Sequence, residues 1–318
     1  MSGLRSSLGS RARRSIPNSV YVSARRRYYD ARSLVGLNPG RGRLLPDFIV
    51  IGAAKSGTTS LYGALADHPF VVPCTTSDPH FQNTKEIHFF SSGFQRGEDW
   101  YRSHFPLESA RREFAAEHGR PFLTGEASPS YMSSFWAPGR IRQLLPEVKF
   151  LAVLRNPVDR AYSQFQMSRR QGIEPLESFE EATAAEEERL RPELARLAAD
   201  PHYNSPDFGR WSYLARSRYA EQFERWLELF PREQFLAFSA EDLLGDPTNT
   251  LDVVHDFLGL PAHRHEAPPR LHTGGDYDPL APDARARLAE YFRPHNERLY
   301  ELIGIDFGWE RETAPAAV

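Results

Sequence analysis

The sequence predicts an α/β protein with a central parallel sheet flanked by helices. Two observations carry that reading. Short continuous apolar runs, "FIVI" at 48–51 and "FLAVL" at 150–154, suit strands buried on both faces. Each is followed by a helix-spaced pattern, and strands alternating with helices place a parallel sheet between helical layers. The chain has 318 residues, 40% hydrophobic and 25% charged, which fits a soluble globular protein. It contains no repeat and no long linker. Residues 46–310 therefore read as one domain, with a basic arm at 1–45 and a short tail at 311–318.

The arm holds ten arginines against the single acid Asp30, so the remainder of a chain with net charge −3 is acidic. That balance argues against nucleic acid as a partner of the folded body. The arm has no apolar core of signal-peptide length, and no stretch of the chain is apolar enough to span a bilayer. "SARRRYYDARSLVGL" reads either as a loosely ordered extension or as a basic amphipathic helix in peripheral contact with an anionic membrane. Cys74 is the only cysteine, which excludes an internal disulfide and fits a cytoplasmic location.

In chain order, "DFIVIGAAKSGTTSLYGALADHP" reads as strand, glycine loop and helix, with Leu61, Tyr62, Leu65 and Ala66 at helical spacing. Residues 148–172 repeat the arrangement: a strand ends at Arg155, and Asn156 with Pro157 starts a helix. The acidic stretch 174–201 has few large apolar residues and reads as a solvated surface helix, although its place in the chain also suits a lid. "SYLARSRYAEQFERWLELFP" is an amphipathic helix bearing Tyr219, Phe223, Trp226, Leu227 and Phe230. "QFLAFSAEDLLGDP" is a strand leading into a loop, and "TLDVVHDFLGL" a helix. "DARARLAEYFRPHNERLYELIG" is a last helix, interrupted at Pro294.

Three motifs carry chemistry. In "GAAKSGTTSL" the glycines have P-loop spacing, but Thr58 occupies the usual lysine position and Lys55 lies earlier. Backbone N–H groups at a glycine turn, backed by a helix N-terminus, bind phosphate. Lys55, Ser56, Gly57, Thr58, Thr59 and Ser60 are the candidate donors, though an ordinary strand-to-helix turn also needs such a glycine. Where a nucleotide kinase carries a metal-binding aspartate after a later strand, this chain carries Arg155. With Ser163 on the next helix, Arg155 suits a second phosphate. In "TKEIHFFSS" an extended backbone places Glu86 and His88 on one side, opposite Ile87 and Phe89, and either polar residue can serve as general base.

Together these motifs resemble the PAPS-dependent sulfotransferases, in particular the heparan-sulfate-type (N- and 3-O-sulfotransferase-like) branch and its bacterial relatives. "FIVIGAAKSGTTSL" is similar to their 5′-phosphosulfate loop, "VLRNPVDRAYSQF" to the 3′-phosphate motif, and "KEIHFF" to the segment with the catalytic glutamate. "YFRPHNERLYELIGIDFGW" is similar to the end of those domains. The resemblance implies a P-loop-containing nucleoside-triphosphate-hydrolase-like fold, PAPS as sulfate donor, no metal, and a hydroxyl or amine acceptor on a carbohydrate, lipid or small natural product. It implies Glu86 as base, with His88 the other candidate, Lys55 at the bridging oxygen, and Arg155 with Ser163 at the 3′-phosphate. Ala127 stands where 3-O-type enzymes carry a lysine. That difference and the acidic 174–201 stretch point to a neutral or cationic acceptor, with Glu126, Ser128 and Tyr131 expected on the acceptor side. A P-loop kinase or NTPase using Mg-ATP, or a non-catalytic nucleotide-binding adaptor, are the competing readings.

Overall fold

The computed structural model describes residues 40–75, 85–264 and 277–310. The proposed arm up to residue 39, with its candidate amphipathic helix, and the tail 311–318 lie outside the described residues. Four parallel strands form the sheet: β1 (Phe48–Gly52), β2 (Gly125–Ala127), β3 (Lys149–Leu154) and β4 (Phe235–Ser239), in the order β2-β1-β3-β4. Register is set by Ile49 opposite Glu126 on one side and Phe150 on the other, and by Phe150 opposite Phe235. All of β1 is buried, and so is β3 from Phe150 onward, which is why these strands read as unbroken apolar runs.

Strand order fixes where a ligand can sit. From β1 the chain leaves toward β2, whereas β3 leads to β4 on the opposite side. The loops after β1 and β3 therefore diverge and open a crevice at the carboxyl ends of the central strands. Helix α1 (Thr58–Asp67) follows β1, and α2 (Ala137–Leu144) precedes β3. Helix α3 (Pro157–Arg170) follows β3. The two loops thus end at the N-termini of α1 and α3.

The structure corrects several sequence expectations. The acidic stretch forms two helices, α4 (Phe179–Ala184) and α5 (Glu186–Ala199), and it is not merely solvated. Phe179 and Ala182 join a core with Val158, Phe165 and Phe292. Glu174, Glu186 and Glu193 are buried because each carboxylate is consumed in internal hydrogen bonds. The expected 20-residue amphipathic helix is shorter: α6 spans Tyr219–Leu227, behind a separate 3₁₀ turn at Ala215–Ser217. The stretch after β4 is a short helix, Ala240–Gly245, because Ser239 accepts the Asp242 N–H and caps it. Helix α7 (Pro247–Leu258) follows. The final helix, α8 (Pro282–Ile303), runs through Pro294 without interruption. Pro294 lies on the exposed side, where water can take over the carbonyl that loses its N–H partner, while Phe292, Asn296 and Leu299 anchor the buried side.

The core under β3 and β4 is centred on Trp226 of α6. Its ring meets Phe150 edge-on at 5.0 Å, and its Nε1–H donates to the Met132 carbonyl at 3.1 Å. Replacing so large a fully buried side chain removes both its apolar contacts and the partner of a buried carbonyl. We expect Trp226→Ala to lower unfolding free energy by about 3–5 kcal/mol in urea titrations. A loss below about 1 kcal/mol would show that this packing is not what holds the sheet to α6.

Candidate active site

The loop after β1 is built to leave donors open. Gly57, at φ 89°, occupies the left-handed region and supplies no side chain to cap α1. Close approach matters too: a Cβ on Gly52 would lie 2.6 Å from Met132. Ser56 is buried, with its hydroxyl beside that of Tyr219. Helix α3 begins differently. Asn156 accepts the Val158 N–H and closes that terminus, so the β3 loop offers Arg155 and not open amides.

Lys55 crosses from the first loop to the second, where its Nζ lies 3.5 Å from Met167 Sδ on α3. Burial lowers the Lys55 pKa, and the positive charges of Arg170, Arg155 and Arg160 lower it further. Among the described residues no ion pair or hydrogen bond holds the Arg155 guanidinium. Its backbone is fixed, since the Arg155 carbonyl accepts from Tyr219 at 2.9 Å and the next amide donates to Glu241 at 3.0 Å. Among the described residues no carboxylate pairs with Lys55 or Arg155, an arrangement suited to an anion. Ser163 is buried on α3, while Thr58 and Ser60 are buried in the first turn of α1 and Thr59 is half-buried.

Glu86 and His88 come together, though not by the extended geometry expected. The segment is extended as far as Ile87. His88 then takes a left-handed φ of 56°, and the chain enters a π-helical turn, Phe89–Gly93. Ile87 and Phe89 are buried opposite, as the alternation predicts. Glu86 is gripped from two sides, by Lys85 Nζ at 2.7 Å and His88 Nε2 at 3.1 Å. A carboxylate only accepts, so Nε2 carries a proton, and Nδ1 is hydrogen-bonded with Ser130 Oγ at 3.0 Å. Burial raises the Glu86 pKa, but the His88 and Lys85 contacts outweigh it and hold the group at about 2.

Sequence reasoning overlooked two cations. Lys85 Nζ lies 3.5 Å from the carbonyl of Ala127, so it supplies a positive charge beside the position where the lysine was missing. Arg216 sits on the 3₁₀ turn, with Nε bonded to Ser133 Oγ at 3.1 Å. Burial and the nearby Arg160 pull its pKa down to about 9, while Glu86 acts to raise it. Arg160 depresses both Lys55 and Arg216, and Glu86 acts on Arg216, so these groups lie within electrostatic range of one another. Lys85 was legible as the neighbour of Glu86; "ARSRYAEQ" carried no signal for Arg216. Conversely, Glu126, Ser128 and Tyr131 do not line an acceptor surface, for all three are turned inward and buried.

Residues 45–272 match the family described as "Sulfotransferase domain". The chain belongs to the sulfotransferase family. This sulfotransferase is 32% identical over 296 residues to heparan sulfate glucosamine 3-O-sulfotransferase 6 of Homo sapiens, covering 85% of this chain and 75% of the relative. It is 32% identical over 285 residues to the human bifunctional heparan sulfate N-deacetylase/N-sulfotransferase 3, covering 81% of this chain but 30% of that longer protein. The crystal structure of a sulfotransferase from Alicyclobacillus acidocaldarius superposes with a TM-score of 0.61 at 30% identity, over 85% of this chain and 100% of that one. The chain is therefore an enzyme of sulfuryl transfer on a P-loop-like parallel sheet.

A pH prediction follows from the grip on Glu86. Its folded pKa is depressed, so the ionised pair stabilises the native state above the ordinary carboxylate range. That contribution is lost as pH falls toward about 2. The stability gap between wild type and Glu86→Gln, up to about 3 kcal/mol near neutrality, should close as the solution is acidified. Denaturant titrations at a series of pH values measure it, and a gap independent of pH would contradict the pairing.

Proposed function

We propose that this sulfotransferase moves the sulfuryl group of PAPS in line to a hydroxyl or amine, on a carbohydrate, lipid or small natural product, releasing PAP. PAPS supplies a sulfuryl group activated on its 5′-phosphate, together with a separate 3′-phosphate. The observation that carries the reading is the pairing, across one crevice, of an uncapped anion loop with a clamped, ionised carboxylate. The open first turn of α1 and the Arg155 guanidinium, unpaired among the described residues, fit a ligand with two anionic ends. Ser56, Gly57, Thr58, Thr59 and Ser60 would hold the 5′ end, Arg155 and Ser163 the 3′-phosphate.

Glu86 takes the acceptor proton as the acceptor atom bonds to sulfur. The bond from sulfur to the bridging oxygen breaks, and its electrons settle on that oxygen beside the Lys55 ammonium. His88, occupied at both ring nitrogens, orients Glu86 and does not replace it. Most of the acceleration comes from position and fixed charge. The acceptor-charge expectation changes in part: Glu174, Glu186 and Glu193 are bonded internally while Glu177, Glu180, Glu181, Glu187, Glu188 and Asp200 stay exposed, and Lys85 lies beside Ala127. A carbohydrate acceptor, as the heparan sulfate enzymes among the relatives use, is the reading that agrees best with this crevice. One relative, from Dictyostelium discoideum, is a membrane-associated sulfotransferase, and the arginine-rich 1–45 arm would give this chain a peripheral contact with anionic lipid from the cytoplasmic side.

The test uses labelled PAPS and a panel of carbohydrate acceptors. Glu86→Gln and Lys55→Ala should each lose about 10²-fold or more in transfer rate, and His88→Ala less than Glu86→Gln. PAP should raise Tm without added metal, and Mg-ATP should not. Full transfer by folded Glu86→Gln protein would remove it as the base, and stabilisation by Mg-ATP in place of PAP would favour the kinase reading.

A further inference from the structure

Beneath the candidate base lies a buried carboxylate that takes no part in the chemistry above. Glu126, on β2, has no exposed surface, and every group that reaches it is a hydroxyl. Its Oε1 accepts from Tyr101 at 2.6 Å and Tyr131 at 3.1 Å, and its Oε2 accepts from Ser128 at 2.6 Å. Each of the last two hydroxyls also serves the segment that carries Glu86. Ser128 Oγ accepts the backbone N–H groups of Ile87 at 3.1 Å and His88 at 3.0 Å. Tyr131 Oη accepts the Phe90 N–H at 3.3 Å.

These contacts fix the direction of the Ser128 proton. A serine hydroxyl has one hydrogen and two lone pairs. Both lone pairs of Ser128 are taken by backbone amides, so its hydrogen must go to Glu126. Burial raises the Glu126 pKa, while the Ser128, Tyr101 and Tyr131 hydroxyls act to lower it. Through Ser128 and Tyr131 the carboxyl is linked to three amides of one short turn. That turn is where the chain leaves its extended course at His88, φ 56°, and swings the imidazole back onto Glu86. The alternative acceptors for those amides are few, because Ile87, Phe89 and Phe90 are packed into the core.

We propose that Glu126 and Ser128 are positioning residues of the sulfotransferase, holding the 86–90 turn so that His88 and Lys85 grip Glu86 in its ionised, proton-accepting state. This rests on the reading of Glu86 as the base. The groups that face Glu86 are Lys85 and His88 on its own segment, Arg216 from the 3₁₀ turn, and the Glu126 cluster with Tyr101 and Tyr131 beneath.

Carboxyl NMR of protein carrying ¹³C-labelled glutamate tests it without an acceptor, the Glu86 signal being assigned by its absence in Glu86→Gln. In wild type the Glu86 resonance should keep its ionised position down to about pH 4. In Ser128→Ala the grip loosens, and the resonance should titrate in the ordinary carboxylate range, while the Tm gain on adding PAP is retained. If the alanine leaves the protein unfolded, Glu126→Gln preserves the volume but removes one of the two acceptor oxygens shared by the three hydroxyls, and should give the same titration. A Glu86 resonance that titrates as in wild type in the folded variant would overturn the proposal. The outcome is separate from that of the base reading. Full transfer by Glu86→Gln sinks the base, whereas an unchanged titration with transfer lost in Glu86→Gln sinks only the positioning role.

Discussion

The parallel pairing of β1 with β3 is the constraint on which the rest of the structure depends. It sets the N-termini of α1 and α3 side by side at the carboxyl edge of the sheet, and it lets Lys55 reach across to Met167. Burial there lowers the Lys55 pKa, and the charges of Arg170, Arg155 and Arg160 lower it further. Part of that cost is recovered when an anion arrives beside Lys55 and Arg155. Packing of the buried strands beneath holds the two side chains' backbones in place.

The acceptor side is organised by the opposite device, in which charges are satisfied in advance. Glu186 accepts the N–H groups of Tyr213, Leu214 and Ala215 at 2.7–2.9 Å. Arg160 binds the Tyr213 carbonyl at 2.6 Å and Ser217 Oγ at 2.6 Å. Between them they fix the turn that presents Arg216. Arg140 joins the carbonyls of Phe90 and Ser91 to that of Pro201, and Trp136 donates to Leu197, so the end of α5 is tied to the catalytic turn. The helices α4 and α5 act as a buttress for the crevice, by polar contacts that a charge count reads as solvation.

How much of this was legible follows from the range of the interactions concerned. β1 and β3 announce themselves because burial on both faces leaves only apolar residues to choose from, and β4 does so although its second face, Leu236 and Phe238, is half-buried. β2 does not: it is three residues, "GEA", and its buried glutamate is met by Ser128 and Tyr131 just downstream and by Tyr101, 25 residues away. The first loop was readable since Gly57 and Lys55 act within their own turn. His88 in a left-handed conformation was not, because what holds it is Ser128, 40 residues away. Pro294 misled for a related reason, since the price of its missing hydrogen bond depends on which side of the helix meets water.

The misplaced lysine and the overlooked one make a pair. Lys55 has no carboxylate near enough to neutralise it, and its ammonium is destabilised by neighbours of its own sign. Lys85 is bonded at 2.7 Å to the group it neighbours in sequence. The first can stabilise charge that appears on a leaving oxygen, because nothing else already claims it. The second cannot do so without releasing Glu86, and releasing Glu86 would raise its proton affinity. Acceptor binding that drew Lys85 toward a new anion would therefore strengthen the base at the moment a proton has to be taken. The sequence pointed to Lys55 by its place in the glycine loop and left Lys85 unremarked; the fold separates them further, since Lys85 is bonded to Glu86 and Lys55 has no carboxylate partner among the described residues.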